Sequence, residues 1–309
     1  MESWPPLGEE DAPTITALHL FSQIPGKIML ATRPWANHGW HLTYRVVPRG
    51  LRTQVMHTKA GAFELEFDLV DHRLILRDEE GADGSVPLRP MPVSAFYNDV
   101  MTLLSYAGHK VHITGTPNEI EPAIPFHEDD ADRAYDPASA DRLRRALLNA
   151  ERLLDLFRSS FLGKVSPVQF FWGSFDLAVT RFSGRPAPPH PGGIPHLPDK
   201  VTREAYSHEV SSAGFWPGGA NGGTPLFYSY AYPEPEGFRR ARAGPDAARF
   251  DEALGEFVLD YETVRQAADP DRMVMDFLVG TYEAAADLGG WDRTSLECEL
   301  GKPGVPRLV

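Results

Sequence analysis

The clearest hydrophobic pattern in the chain is the alternation across Phe63–Val70, where apolar residues occupy every second position and acidic residues lie between them. A period of two residues predicts a β-strand, and a single polar face predicts that the strand is half-exposed in an antiparallel sheet. The long apolar segment Val168–Arg181 is either one long strand or a tight hairpin. Weaker patterns predict further strands at Lys27–Arg33, His41–Val47, Leu74–Arg77, Ser85–Leu88, Val111–Thr114, Glu204–Ala213 and Leu226–Tyr232.

Apolar residues at three- and four-residue spacing predict the helices. A short helix at Thr14–Ile24 is expected to end at Pro25–Gly26, and a longer one spans Val93–Gly108, with the glycine as its C-terminal cap. Two more helices begin at the pairs Asp136–Pro137 and Asp269–Pro270, in which Asp is the N-cap and Pro takes the first helical position. The sequence therefore predicts an α+β protein with antiparallel sheets and amphipathic helices packed on them.

The order of sheet followed by helix occurs twice along the chain, which predicts two similar halves. The segment 118–136 is rich in Pro, Glu and Asp and is predicted to be an acidic linker. It divides an N-terminal α+β half, residues 1–117, from a C-terminal α+β half, residues 137–309, which carries the candidate site.

Composition narrows the classes of function. Apolar residues make up 42% of the 309, enough to bury a core, and the formal net charge is −13. This charge disfavours nucleic acids and anionic membranes as partners, because both require a basic surface. The segment Met1–Ala12 lacks the pattern of a signal peptide and no apolar run is long enough to span a membrane, so a cytoplasmic location is expected. A single cysteine, Cys298, excludes an internal disulfide, and the oligomeric state stays open.

Five longer strings along the chain are distinctive. They are LHLFSQIPGK at Leu18–Lys27, NHGWH at Asn37–His41, FWGSFDLAVTRFSGR at Phe171–Arg185, AYSHEVSSAGFWPG at Ala205–Gly218 and YSYAYPEP at Tyr228–Pro235. These strings resemble a known family, the bacterial proteins grouped as domain of unknown function 5996. The resemblance extends over nearly the whole chain, from Trp4 to Leu296, and it implies no activity, cofactor or catalytic residue.

Asp176 is the lone acid in an apolar and aromatic segment, where strand alternation would place it on one face with Phe170 and Trp172. A buried carboxylate must be paired, hydrogen-bonded or bound to a metal. The candidate partners are Arg181, Arg185 and His208. A structural ion pair and a catalytic acid both fit this pattern.

A second group of candidates consists of histidines and a glutamate. His208 and Glu209 are adjacent in a predicted strand and could perform acid–base catalysis with Asp176. His38 and His41 lie three residues apart around a glycine, and with His208 they could bind a divalent metal such as zinc or iron. The ordinary alternative is that these side chains only make local hydrogen bonds.

A third group would bind a ligand. Arg181 and Arg185 flank a small-residue loop and could clamp a carboxylate or phosphate. Aromatic residues that could hold a flat ligand are Trp172, Trp216, Tyr228 and Tyr230, although the same residues suit an ordinary sheet face packed on a helix.

The sequence thus supports two functional hypotheses. The first is an enzyme with a His/Asp/Glu polar pocket in an aromatic-rich sheet. The alternative is a protein that binds an anionic or aromatic small molecule without chemistry. A third hypothesis, that the polar residues form a satisfied structural core, needs no ligand.

Overall fold

An antiparallel sheet of twelve strands forms the framework of the protein, which a computed structural model describes for residues 4–81 and 83–307. The sequence predicts that the segment Met1–Ala12 is not a signal peptide, and its first three residues lie outside the described residues. The strand order is β13-β14-β12-β11-β10-β9-β1-β2-β4-β5-β6, with β3 paired to β4, and a separate pair joins β7 to β8. The strands are β1 (Thr43–Val47), β2 (Gly50–Arg52), β3 (Met56–Thr58), β4 (Gly61–Asp68), β5 (Arg73–Asp78), β6 (Asp83–Pro87), β7 (Met91–Pro92), β8 (Asp132–Arg133), β9 (Gln169–Phe171), β10 (Asp176–Pro186), β11 (His208–Trp216), β12 (Leu226–Tyr232), β13 (Arg249–Asp251) and β14 (Glu256–Asp260).

The longer helices cover one face of this sheet and enclose the main hydrophobic core, which confirms the α+β prediction. We call the opposite side of the sheet the outer face. None of the helices in the described residues is long and apolar enough to cross a membrane. The helices are α1 (Ala12–Thr32), α2 (Val93–Tyr106), α3 (Pro137–Arg158), α4 (Asp199–Ala205), α5 (Tyr261–Gln266), α6 (Pro270–Leu288) and α7 (Arg293–Leu296).

The first and last parts of the sheet meet at a short seam. β1 pairs with β9 through Thr43 opposite Phe171 and Tyr44 opposite Phe170. Within the described residues, strands β1–β6 lie on the β1 side of the seam and come from the first part of the chain. Strands β10–β14 lie on the β9 side and come from the last part. The division into two halves at residues 118–136 stays a prediction. This segment packs against the rest of the protein, since Ile120 and Phe126 are buried in the core.

Helix α1 is longer than predicted, and the predicted strand Lys27–Arg33 is wrong. Pro25 lies inside the helix, which continues to Thr32 because Ile28 and Met29 extend its buried apolar face. Gly26 is a packing residue rather than a helix end. An added Cβ there would lie 2.3 Å from the ring of Trp172, so only glycine permits this contact.

The two Asp–Pro helix starts are confirmed. The Asp136 side chain accepts a hydrogen bond from the backbone N–H of Ser139, and Asp269 accepts one from Arg272. Each bond satisfies a backbone donor that the first helical turn leaves without an intrahelical partner. The prediction succeeded because the capping interaction lies within a few residues.

Strand β4 is more deeply buried than its alternating pattern predicts. The Glu66 and Asp68 side chains on its polar face are only 1% and 2% exposed. Arg52 and Arg77 each lie 2.8 Å from a Glu66 oxygen, and Arg49 lies 2.7 Å from Asp68. The prediction of a half-exposed strand is therefore wrong, because arginines from neighbouring segments cover its acidic face.

The segment Val168–Arg181 forms a hairpin of β9 and β10, and this changes which residues share a face with Asp176. The strands pair Asp176 with Phe171 and Leu177 with Phe170. Asp176 therefore shares the outer face with Phe171. Its predicted neighbours Phe170 and Trp172 are not on that face, because the turn between the strands breaks the alternation.

Three further differences concern local elements. No strand forms at Val111–Thr114. The predicted strand Glu204–Ala213 begins only at His208, since the end of α4 occupies the preceding residues. Strands β13 and β14 were not predicted, and β14 contributes to the site described next.

Candidate functional site

The structure separates the predicted catalytic residues. Asp176 is the first residue of β10, beside the end of β11 at Trp216, whereas His208 pairs with Pro186 at the other end of β10. A strand rises ~3.3 Å per residue, so the length of β11 places Asp176 and His208 roughly 26 Å apart. Asp176 and His208 therefore cannot share one proton-transfer site.

The predicted metal-binding histidines do not form a free set of ligands, because the ring nitrogens of His38 have other partners and His41 lies in another place. His38 and His208 are neighbours, with ring centroids 6.2 Å apart. The His38 Nδ1 atom lies 2.7 Å from the carbonyl oxygen of Ala205, and its Nε2 atom accepts a hydrogen bond from Lys164 at 2.6 Å. His41 lies instead against Trp35. No group of three or more His, Cys, Asp or Glu side chains within residues 4–81 and 83–307 could hold a metal ion.

The two predicted anion-binding arginines are committed to the fold. Arg181 is 2% exposed on the core side of the sheet, where it donates to the carbonyl oxygen of Phe157 and stacks on that ring at 3.6 Å. Arg185 donates two hydrogen bonds to Glu209 and two to the carbonyl oxygens of Gly289 and Gly290, after the end of α6. Glu209, a predicted catalytic residue, therefore binds the arginine that contacts the end of α6.

The remaining predicted residues divide between the two sides of the sheet. Trp172 packs on Gly26 of α1, away from the outer face. Tyr228 and Tyr230 lie on the outer face, with ring centroids 6.2 Å apart and planes 14° apart. Trp216 packs against the same cluster and donates from its indole N–H to the Ser174 carbonyl oxygen at 3.1 Å.

Asp176 is the buried acid of this outer face, as its sequence environment predicted. It is 7% exposed, and its two carboxylate oxygens accept hydrogen bonds from the hydroxyl groups of Ser174 and Tyr228. Burial raises the pKa of the Asp176 carboxyl, and these two hydrogen bonds oppose the rise. Among the described residues no Lys, Arg or His forms an ion pair with it, so Asp176 is not the structural ion pair that the sequence allowed.

Two more carboxyl groups lie close enough to Asp176 to interact with its charge, and neither was predicted from the sequence. Burial and the charge of Asp176 raise the pKa of Glu119 to about 7. Burial, then the charges of Asp176 and Asp251, raise the pKa of Glu256 to about 8. Glu119 and Glu256 are each half-buried, so water still reaches both side chains.

Tyrosine hydroxyl groups complete this site. The hydroxyl oxygens of Tyr206 and Tyr230 are 2.8 Å apart, and Tyr206 comes from the segment between α4 and β11. Burial raises the pKa of Tyr230 to about 12, so its hydroxyl stays protonated at neutral pH. We call this set the carboxyl–tyrosine face, and its members are Glu119, Asp176, Tyr206, Tyr228, Tyr230 and Glu256.

A buried polar ladder on α1 supports the turn that leads into Asp176. His19 Nε2 lies 2.9 Å from the carbonyl oxygen of Gly173, and Gln23 donates to the carbonyl oxygen of Trp172 at 3.1 Å. These helix residues lie one turn apart, so they reach the same turn of the hairpin. Burial lowers the pKa of His19 to about 4, and its ring is therefore neutral at physiological pH.

The same ladder holds the segment that carries Glu119. Gln23 exchanges hydrogen bonds with the backbone N–H and carbonyl of Asn118, at 2.9 and 3.2 Å, and Lys27 donates to the Asn118 side chain. Glu119 has φ 60° and Phe175 has φ 62°, a left-handed conformation that side chains of this size rarely adopt. Strained residues held by surrounding contacts cluster at functional sites. Phe175 directly precedes Asp176 in the chain, and Glu119 interacts with Asp176 through its charge.

The carboxyl–tyrosine face has an unusual charge balance. No Lys, Arg or His charge contributes to the pKa shifts of Glu119, Asp176 or Glu256 within the described part of the chain. Three acidic groups that interact with one another thus lie on a face whose other polar members are hydroxyls. Such a site can attract a cation, and its two acids with pKa values near neutrality can also transfer protons.

The signals for the missed residues were weak. Glu119 lies in the acidic segment that was predicted to be a linker. Because several acids occur there, nothing in the sequence marks Glu119 as a site residue. Glu256 precedes the short apolar run Phe257–Leu259, which could have indicated a strand with one acid at its start.

Comparisons with known proteins add a family but no residue roles. A model described as "Family of unknown function (DUF5996)" matches residues 4–298 of the chain. No curated protein and no solved structure matches it. The assignment of a site therefore rests on the geometry of this chain.

Proposed function

The chain belongs to DUF5996, a family of unknown function, and we propose from its own geometry that the carboxyl–tyrosine face binds a small organic cation. The observation that carries the proposal is Asp176, a buried carboxylate that is hydrogen-bonded to two hydroxyl groups and has no cationic partner among the described residues. A buried charge is costly unless it is compensated, and a bound ammonium or guanidinium group would compensate it.

The aromatic residues favour an organic cation over a metal ion. Tyr228, Tyr230 and Trp216 surround the acidic groups with ring surfaces, which attract a cation that lies over them. A metal ion would instead need several oxygen ligands at short range. This proposal replaces the anionic ligand that the sequence suggested, because Arg181 and Arg185 are engaged elsewhere.

Isothermal titration calorimetry with paired probes tests the proposal. Choline and 2-phenylethylamine are the cationic probes, and 3,3-dimethyl-1-butanol and 2-phenylethanol are their neutral counterparts. We expect at least one cation to bind with a millimolar or lower Kd, and Asp176→Asn to weaken it about tenfold or more, the effect of losing a charge-assisted contact.

Asp246→Asn is the matched control, because Asp246 is 89% exposed and pairs only with a neighbouring Arg242 on the surface. This control should bind the cation as the natural sequence does. Equal binding of the neutral and cationic probes, or equal loss of affinity in both variants, would contradict a site organised around the Asp176 charge.

A second candidate function is acid–base catalysis on such a cation. It is favoured by the pKa values of Glu119 and Glu256, about 7 and about 8, which would let one act as a base and the other as an acid near neutral pH. This form of the enzyme hypothesis keeps Asp176 and omits His208 and Glu209. NMR of a bound probe over several hours distinguishes the two functions, since a binding protein returns the probe unchanged.

A further inference from the structure

A second polar cluster, made of other residues than the carboxyl–tyrosine face, lies where the chain leaves α1 and turns towards β1. Arg33 follows the last residue of the helix, His41 precedes β1, and Arg45 lies within β1. Trp35, between them in sequence, is 52% exposed and has its ring centroid 4.7 Å from that of His41.

Two donors in this cluster are buried without a hydrogen-bond partner in the part of the chain that the structure describes. The His41 Nδ1 atom accepts a hydrogen bond from the backbone N–H of Ala36 at 3.2 Å. The proton of the neutral ring is therefore on Nε2, and that atom is buried with no hydrogen-bond partner in a side chain that is 2% exposed. The Nε atom of Arg33 is also buried and unpartnered, while another nitrogen of the same guanidinium donates to the carbonyl oxygen of Val55.

Positive charge accumulates here, and no described acid forms an ion pair with it. Burial lowers the pKa of Arg33, and the charge of Arg45 lowers it further. Burial also lowers the pKa of His41, and the charge of Arg33 contributes to this lowering. Among the described residues neither Arg33 nor Arg45 forms an ion pair, although the chain as a whole has a net charge of −13.

Unsatisfied buried donors normally cost free energy, and native proteins retain few of them. An oxyanion would satisfy both unpartnered N–H groups and neutralise the repulsion between the arginines. We propose that Arg33, His41 and Arg45 form a binding site for a small oxyanion, the phosphate or carboxylate group of a ligand. Trp35 covers His41 from the solvent side, so its ring must shift when the anion enters.

Titration with sodium phosphate tests this site, and the intrinsic fluorescence of Trp35 reports on binding. Ionic strength is held constant with sodium chloride, so general screening does not contribute. We expect a saturable change that the Trp35→Phe variant lacks, and a shift of the His41 ring resonances in NMR spectra at the same concentrations. A parallel titration with sodium acetate shows whether a carboxylate binds as well as a phosphate.

Arg45→Gln is the decisive variant. The Arg45 side chain is exposed and makes no hydrogen bond with a described residue, so its replacement should leave the fold intact. We expect it to weaken phosphate binding about tenfold, the effect of one lost charge-assisted contact. Arg240→Gln, at an exposed arginine in the C-terminal part of the chain, removes the same charge elsewhere and should leave the affinity unchanged.

Three outcomes would overturn the proposal. The first is that neither anion causes a saturable change in fluorescence. The second is that the response persists in full in Arg45→Gln. The third is that Arg240→Gln loses as much affinity as Arg45→Gln. None of them depends on whether a cation binds at the carboxyl–tyrosine face.

Discussion

Buried carboxylates occur in two regions of the outer face of the sheet, and the two regions balance them differently. On β4, Glu66 and Asp68 are covered by arginines from neighbouring segments at 2.7–2.8 Å. On β10, Asp176 is just as enclosed, yet its partners are hydroxyl groups. The β4 acids form ion pairs of a structural kind, whereas Asp176 has no ion-pair partner among the described residues.

The contrast shows that burial of an acid does not by itself identify a functional site. What distinguishes the β10 region is the absence of a cation among the described residues around three carboxyl groups. The difference also appears in the pKa values. Burial would raise the pKa of Asp68, but Arg49 and two backbone N–H groups lower it overall, whereas the pKa values of Glu119 and Glu256 are raised.

The largest expected effect comes from removing the cations of the β4 region. The double variant Arg52→Gln with Arg77→Gln leaves Glu66 buried without a charge partner. We expect the free energy of unfolding to fall by about 3 kcal/mol, measured by urea denaturation. A loss below about 1 kcal/mol would mean that the β4 pairs are not structural, and the comparison would fail.

The second prediction concerns pH, and the two regions should respond with opposite sign. Glu119 and Glu256 have folded pKa values above the unfolded value of 4.5, so their contribution is fully present below pH 4.5 and is lost as pH rises towards 8. We expect a loss of about 2 kcal/mol per side chain, reduced from the full linkage value because both are partly exposed.

Asp68 has a folded pKa below its unfolded value of 3.8, so its contribution is present above pH 3.8 and is lost as pH falls through the folded pKa. Urea denaturation from pH 3 to pH 9 measures both responses. The Glu119→Gln, Glu256→Gln double variant should flatten the curve between pH 4.5 and pH 8 and leave the acid limb unchanged. An unaltered curve would show that these two groups do not titrate as described.

The third prediction is a small effect of Asp176→Asn on stability. The amide removes a charge that burial disfavours and also weakens two hydrogen bonds, so the two changes largely offset each other. We expect the free energy of unfolding to change by less than about 1 kcal/mol in thermal and urea melts. A loss of several kcal/mol would instead support the hypothesis of a satisfied structural core.

A similarly small effect is expected for Tyr230→Phe, which removes the hydroxyl that contacts Tyr206 and keeps the ring. Loss of one neutral hydrogen bond should lower the free energy of unfolding by about 0.5–1 kcal/mol. Binding of a cationic probe should be largely retained because the ring surface remains. A large loss of binding would mean that the hydroxyl group, and not the ring, contacts the ligand.

The fold was predictable where the determining contacts are local. The caps at Asp136 and Asp269 follow from residues three positions away, and the β4 alternation is visible within eight residues. Pro25–Gly26 misled the prediction because the reason for the glycine is Trp172, far away in sequence. Local sequence cannot show that a small residue serves close packing rather than the end of a helix.

The candidate site was predictable in part for the same reason. Asp176 is conspicuous in its own apolar segment, and the alternating Tyr228 and Tyr230 share a strand face. The partners of Asp176 depend on strand register and on a turn that shifts the alternation, and neither can be read from one segment. His208 was therefore placed beside it wrongly, while Glu119 and Glu256 were missed.

The seam between β1 and β9 has a consequence for biosynthesis. Its paired residues lie about 130 positions apart, and a ribosome adding about 5–20 residues per second needs roughly 6–26 s between them. During that interval the emerging β1 has β2 on one side and an open row of backbone hydrogen-bonding groups on the other. Such an edge invites pairing with other chains, so the nascent chain is most vulnerable to aggregation before Phe171 leaves the ribosome.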